Sequence, residues 1–369
     1  MDVFDSVDPL VINIANVNIT NTQLKLSQFA ESITYIKLSE EPLLGDILGT
    51  NIRVFEDTIY IDCENIYKYT PTGEFLRKLF VNGQGPKETM KWEFFPAAYN
   101  KKERYVTFAN RSNNYVSYSF DGVFLETSDY KIDSVDTKKI ETYFNDYCVY
   151  RIEHNAIGNR LGPFLFYAKN IFTDSVFYAY TNPAAKENPS PNGFSVQYPS
   201  DMNFINIDST LWFKHYVLDT LYSTNDFITI TPRYIFKTDN TFMNLREYTY
   251  NIVNALDRER SRAKVIMGIL PLPSGGLLYT IDKKIALADR EGNTPDCCDK
   301  PIINDIDNYL KEIDFIMPLI CRTFYVSNNH IYILVDAFKF FEEGCTLPPS
   351  LKGIDADSNP VVLKIKLKV

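Results

Sequence analysis

Apolar and polar residues alternate in short runs along most of the chain, and the runs are broken by Asn, Asp, Gly and Pro. A period of two puts every second side chain on one face, the signature of half-buried antiparallel strands rather than helices. Residues 58–79, TIYIDCENIYKYTPTGEFLRKL, read as strand, turn, strand, glycine turn and strand. Residues 104–127 repeat the plan: Gly73-Glu74-Phe75-Leu76 is answered by Gly122-Val123-Phe124-Leu125, and Tyr69 by Tyr118. Weaker copies begin at Asp146, Phe204, Gly275 and Thr323. Taking Tyr60, Tyr105, Tyr147, Phe204, Leu277 and Tyr325 as marks of the leading strands gives six units.

Six small antiparallel sheets must bury their faces against one another, and radial stacking does so while leaving only short edges. The expected fold is therefore all-β: a six-bladed β-propeller of four-stranded antiparallel blades. Residues 361–369, VVLKIKLKV, alternate apolar side chains with Lys364, Lys366 and Lys368, and residues 32–40 carry a comparable pattern. These two stretches are expected to supply strands to one blade and so close the circle. Residues 1–31 read as a lead-in segment and residues 32–369 as a single propeller domain. Two stretches break the meander and are expected as short helical insertions: 243–264, with the spacing of an amphipathic helix, and 303–315, as a helical turn.

Composition narrows the partners. Lys and Arg total 38 against 47 Asp and Glu, a net charge of −9 that repels phosphodiester backbones, so no nucleic-acid partner is expected. Aromatic content of 14% suits pleated surfaces. No stretch approaches the roughly 18 apolar residues that a membrane helix needs, and residues 1–20 lack the basic start and apolar centre of a signal peptide. Six cysteines are too few for a disulfide scaffold. They read first as small buried apolar residues, with a bridge from Cys297 or Cys298 to Cys321 or Cys345 left open.

Four elements in order carry a resemblance. They are the entry LKLSQFAESITYIKLSEEPLLGDI, a G-x-G-P-x-E loop at Gly83, Gly85, Pro86 and Glu88, the stretch DTLYSTNDFITITPRYIF, and the exit DADSNPVVLKIKLK. The third of these elements holds Asp219, Thr220, Tyr222, Pro232 and Tyr234, and the exit holds Asp355, Asn359 and Pro360. Over roughly residues 24–369 the chain resembles the six-bladed, NHL-like propeller lipoprotein candidates of Bacteroidetes-type bacteria, filed as a domain of unknown function. The resemblance implies export, to the periplasm or an outer-membrane anchor, with the signal peptide and lipid anchor belonging to a longer precursor. Membrane attachment would run only through that anchor. The chain departs from the family after Asn304-Asp305-Ile306-Asp307, where NYLKEIDF replaces a glycine pair, so no shared role is carried onto that loop.

The glycine loop in FVNGQGPKETMKW does not read as a phosphate cradle. A P-loop needs four residues between its glycines, then Lys and Ser or Thr, and a helix facing the anion. Here one residue separates Gly83 from Gly85, and Pro86 removes an amide donor. The loop reads as a structural turn. His154, His215 and His330 fall in three repeats at non-equivalent positions and read as ordinary histidines rather than a zinc site. Asp355 to Asn359 lack the glycine and distal Glu of a calcium loop and read as a polar turn. No catalytic residue, metal or cofactor is assigned.

Aromatic side chains at a channel mouth stack on sugars or anchor proteins. Trp92 and Trp212 are the candidates, each with inter-blade packing as its rival, and Arg160, Lys214, His215 and Trp212 form the candidate ligand-binding cluster. The expected function is a monomeric, non-catalytic module binding a ligand or envelope protein, with a glycan among the possible ligands. The alternative is a hydrolase or lyase acting on a glycan or peptide in the funnel.

Overall fold

Strand-forming runs and tight turns of the kind the sequence pattern predicts build six four-stranded antiparallel sheets among the described residues, the blades of a six-bladed β-propeller. The structure, a computed structural model, describes the chain except at residues 1–2, 5–7, 16, 21, 45–49, 82, 84–87, 92–96, 113, 130–135, 155–163, 174, 182–201, 216–218, 238–265, 282, 295 and 322. The helix expected at 243–264 lies outside the described residues.

In chain order the first blade comprises Asn51–Phe55, Thr58–Asp62, Ile66–Tyr69 and Phe75–Lys78, and the second Ala98–Asn100, Tyr105–Ala109, Asn114–Ser119 and Phe124–Asp129. The third holds Asp136–Phe144, Tyr147–His154, Phe164–Asn170 and Val176–Thr181, and the fourth Met202–Ile207, Thr210–His215, Thr220–Thr224 and Thr229–Lys237. Ile266–Pro271, Leu277–Ile281, Lys284–Ala288 and Asp296–Cys298 make the fifth. The sixth joins Phe324–Ser327, His330–Val335 and Val361–Leu367 to Ala30–Lys37. Four of the six marker residues, Tyr60, Tyr105, Tyr147 and Leu277, fall in second strands; the first strands of those blades precede them.

The chain divides into two compact units. One is Met1–Val17, Ala98–Arg104 and Asp129–Met267; the other is Asn18–Ala97, Tyr105–Ser128 and Gly268–Val369. Within the first, Phe144, Val149 and Phe166 of the third blade pack on Leu211, Phe213 and Ile230 of the fourth. Within the second, the sixth blade meets the first through Ile36, Tyr325, Tyr332, Leu334 and Val362 against Ile52, Ile59, Ile61, Tyr67 and Tyr69.

The repeat seen in the sequence is a repeat of hydrogen bonds. Gly73 N donates to Thr70 O and Thr70 N to Glu74 O; Gly122 N donates to Ser119 O and Ser119 N to Val123 O. Gly292, Asp289 and Asn293 make the same pair. In all three turns the side-chain oxygen of Thr70, Ser119 or Asp289 also accepts from the amide four residues on. All three glycines have φ between +76° and +91°.

The lead-in is more than a linker. Val3–Phe4 and Leu10–Asn13 pair in parallel with the outer strand of the fourth blade, and Asn18–Ile19 with that of the fifth. Nor do residues 303–315 form a helical turn. Ile302–Ile303 and Glu312–Ile313 make a two-stranded hairpin, and the helix begins only at Ile316, spanning Ile316–Cys321. Side chains of Asn304, Asp305 and Asp307 bond locally and to the lead-in instead of letting the backbone coil. Asp305 accepts from Ser27 N at 2.9 Å and from its hydroxyl at 2.6 Å, while Asp307 accepts from the Tyr35 hydroxyl at 3.0 Å. Burial, reinforced by the Asp307 carboxylate, pushes the Tyr35 hydroxyl far up.

The entry and exit elements of the family pattern meet at Asn359, which is buried. Its Nδ2 donates to Ser39 O (2.6 Å), Pro42 O (2.8 Å) and Glu40 O (3.2 Å), and its Oδ1 accepts from Leu44 N at 2.8 Å. Asn359→Ala leaves these backbone groups unpaired and is expected to cost about 2–3 kcal/mol in denaturant unfolding; a loss under about 0.5 kcal/mol would show that water replaces the amide.

Candidate functional site

Three places in the fold concentrate chemistry, and the first is the glycine loop. Gly83 and Glu88, the two ends of the motif within the described residues, touch: a Cβ on Gly83 would lie 2.0 Å from Glu88 Oε2. Gly85, Pro86 and Trp92 lie outside the described residues. Just past Glu88 the chain is stitched to both neighbouring blades. Thr89 N donates to Val81 O, Arg111 N to Met90 O, and Asn110 Nδ2 to the Thr89 hydroxyl.

Lys91 then turns inward. Its ammonium, 2% exposed, lies 2.8 Å from Asp62 Oδ1, whose side chain is fully buried, and donates to Cys63 O at 3.1 Å. Asp62 Oδ2 accepts from Ala97 N at 2.7 Å. A buried charge pair is costly unless further hydrogen bonds support it; here each partner has one backbone contact, while Asp62 Oδ1 makes no hydrogen bond beside its ion pair with Lys91. The residues just past the motif, Thr89 to Lys91, thus tie the first blade to the second. The pair escapes a reading of the sequence; its signal is Lys91 between Met90 and Trp92 and Asp62 closing the apolar strand TIYID.

The second place is the Thr210–His215 strand. Alternation puts Leu211 and Phe213 in the core shared with the third blade. Trp212 and Lys214 go to the opposite face, Trp212 half-buried with its ring 6.2 Å from that of Tyr234, and Lys214 fully buried with Nζ 5.8 Å from the Phe236 ring. The structure therefore brings these two candidates to one face, with the ammonium sealed inside. His215 follows in the same strand, its side chain outside the described set, as is Arg160 altogether.

Burial lowers Lys214 from 10.5 to about 7, the Asp219 carboxylate opposing the shift. Between those values the unfolded chain binds the proton and the folded chain does not, so stability rises with pH across that window and the stabilisation is lost as pH falls through about 7. Comparing Lys214→Met with the wild type, the balance is expected to tilt toward the variant below pH 7 and back toward the wild type as pH approaches 10. Parallel stability curves for the two proteins would contradict this.

The third place lies between the second and third strands of the sixth blade. Ala337–Phe341 form a 3₁₀ turn, in which residues three apart eclipse. Phe338 and Phe341 therefore share one side and are 45% and 46% exposed, while Phe340 is buried with its ring 5.6 Å from that of Tyr35. Lys339 Nζ stands 5.0 Å from the Phe338 ring centroid and 2.6 Å from Glu342 Oε1. Sequence reasoning passed over this pair, although the run DAFKFFEEG displays it.

Of the three histidines, His154 and His215 have side chains outside the described residues. His330 Nδ1 lies 2.7 Å from Asn328 O. Asp355 Oδ1 accepts from Asp357 N and the Ser358 hydroxyl, shaping a turn. All six cysteines are free thiols, with Cys148, Cys297 and Cys298 buried and Cys321 exposed. Among the described residues no helix is long and apolar enough to cross a membrane.

Comparison with known proteins places this architecture. A family model described as a domain of unknown function, DUF4934, matches residues 9–366. The crystal structure of a candidate exported protein from Bacteroides fragilis NCTC 9343 superposes with a TM-score of 0.63 at 14% identity, covering 98% of this chain and 100% of that one. A member of the DUF4221 family from Bacteroides vulgatus ATCC 8482 superposes with a TM-score of 0.52 at 12% identity, over 92% and 97%. At such identities the likeness is one of fold alone. No curated protein sequence matches the chain.

Proposed function

Starting from the premise that the chain belongs to the DUF4934 family, whose function is unknown, we propose that it is an exported, non-catalytic binding module of the cell envelope. The observation that carries this reading is the Phe338 and Phe341 pair. Two aromatic rings held half-exposed on one side of a short turn, with the intervening Phe340 locked into the core, form a pre-organised anchor. Rigid aromatic groups dominate binding because they desolvate a broad face while few rotamers are lost. This sets protein binding ahead of glycan cleavage. Export is supported by the fold likeness to the Bacteroides fragilis protein and by the family resemblance. Lipid anchoring of the full-length precursor belongs to the same proposal. Arg160, Lys214, His215 and Trp212 remain proposed ligand contacts of secondary rank, since Lys214 would need an opening of its blade to meet one.

A photoreactive phenylalanine analogue at Phe338 or Phe341 is expected to yield one discrete cross-linked product in intact cells, and the analogue at exposed Leu76 is expected to yield none. Equal products at all three positions, or turnover of a glycan panel by the purified chain, would overturn the reading.

A further inference from the structure

Two half-buried cations stand at the seam between the sixth blade and the first, within the compact unit that contains both. Register puts Tyr325, Tyr332, Lys364 and Thr34 in one row across the four strands of the sixth blade. Lys364 Nζ lies 5.8 Å from the centre of the Tyr332 ring. From the first strand of the first blade, Arg53 reaches the other end of the row, with its Cζ 5.9 Å from the centre of the Tyr325 ring. The order is therefore cation, ring, ring, cation. Both rings are buried, while Arg53 and Lys364 are half-buried and Thr34 is exposed.

Among the described residues neither cation forms an ion pair. Arg53 Nη1 donates to Ile52 O at 2.8 Å, and Lys364 makes its contact with Tyr332. Lysines close by behave differently: Lys366, two residues on, lies 2.6 Å from Glu31, and Lys37 lies 3.3 Å from Glu40. A guanidinium keeps its proton and offers a planar fork of donors, and an aromatic face holds it in place without neutralising it. One carboxylate of the chain faces this row. Burial and then the exposed Asp57 carboxylate push the Tyr332 hydroxyl up, yet Asp57 pairs with neither cation.

We propose that Arg53 and Lys364 bind a small organic dicarboxylate, one carboxylate on each cation, with an apolar spacer crossing Tyr325 and Tyr332. The fork of Arg53 suits bidentate contact with one carboxylate, and the ammonium of Lys364 supplies a point charge for the other. Between them the row offers carbon surface, which selects against a second polar group in the middle of the ligand. The site is separate from the Phe338 and Phe341 anchor and does not depend on it.

Calorimetric titration of the full chain with acetate, inorganic phosphate and the aliphatic dicarboxylates from succinate to suberate provides the test. The best dicarboxylate is expected to bind at least about tenfold more tightly than acetate. Arg53→Met is expected to weaken that binding at least about tenfold and Lys364→Met about fivefold, while Asp57→Asn, which removes a competing carboxylate, tightens it about threefold. Asp57 sits at φ +52°, a conformation that Asn adopts readily, so this variant is expected to fold. Lys352→Met, at an exposed lysine of the same unit, is expected to change nothing. Equal losses at Lys352 and Lys364, or no binding of any dicarboxylate, would overturn the proposal. Should Arg53→Met not fold, Lys364→Met and Asp57→Asn decide, and unchanged affinity in both overturns it. Tighter binding of phosphate than of every dicarboxylate, lost in the Arg53 variant, would seat a single phosphate there and overturn the assignment to a dicarboxylate.

Discussion

A chain lacking residues 1–44 loses most of its thermal stability and melts broadly and early. The deletion removes Ala30–Lys37, which pairs with Val361–Leu367 from Val361 opposite Lys37 to Leu367 opposite Ala30. It also removes the buried side chains of Tyr35, Ile36, Leu38 and Leu44. Each is worth about 1.5–3 kcal/mol of burial, and the sum is comparable to the roughly 5–15 kcal/mol that holds a typical domain together. The hydrogen bonds that Asn359 makes to Ser39, Glu40, Pro42 and Leu44 go with them. Val361–Leu367 would then present a bare, apolar edge, so aggregation is expected to accompany unfolding. Calorimetry of the two chains checks this; an unchanged midpoint would mean that the sixth blade does not depend on its outer strand.

Gly73→Ala is expected to be the most damaging single methyl in the protein, costing more than about 3 kcal/mol. Two effects add. The backbone sits at φ +91°, where an L side chain is strained, and the new Cβ would lie 1.9 Å from Lys37 O and 2.8 Å from Lys37 C. The second contact is with backbone at the end of the sixth blade's outer strand, so relief requires moving one blade against the next. Ser39 fixes the same corner: its amide donates to Gly73 O at 2.9 Å, and its hydroxyl accepts from Phe75 N at 2.9 Å.

The equivalent Gly122→Ala supplies the control. Its φ is +76°, but its Cβ would stand 3.3 Å from Leu79 O, a tight contact that a small shift relieves. Only the conformational penalty of about 1–2 kcal/mol is expected there. Paired denaturant titrations resolve the difference, and equal losses at the two glycines would show that the contact with Lys37 carries no weight.

The two glycines also show how far the sequence reaches. Their kinship is visible in the text because the turn that needs them closes within five residues, with Thr70 and Ser119 supplying matching side-chain acceptors. The last strand, Val361–Leu367, shows because its wet lysines alternate with buried apolar residues. First strands are harder. Asn51–Phe55 is mostly buried on both faces and Ala98–Asn100 is only three residues long, so neither alternates clearly. Residues 303–315 were misread because Asn304, Asp305 and Asp307 spend their side chains on partners such as Ser27 and Tyr35. Of the ligand cluster, the sequence grouped Trp212 with Lys214, and the sealing of Lys214 was not legible in it.

By itself the sequence determined the meander, its turns, the number of blades and the pairing of the chain's two ends, because each rests on periodicity or on hydrogen bonds between close neighbours. Only the tertiary structure decided that Lys91 meets Asp62, that Asn359 reaches a backbone 315 positions away, that Phe338 and Phe341 stand out while Phe340 goes in, and that Leu10–Asn13 lies along the fourth blade. Those contacts depend on chain segments brought together across long loops, where the free energy resides in the pair and leaves no period in either partner.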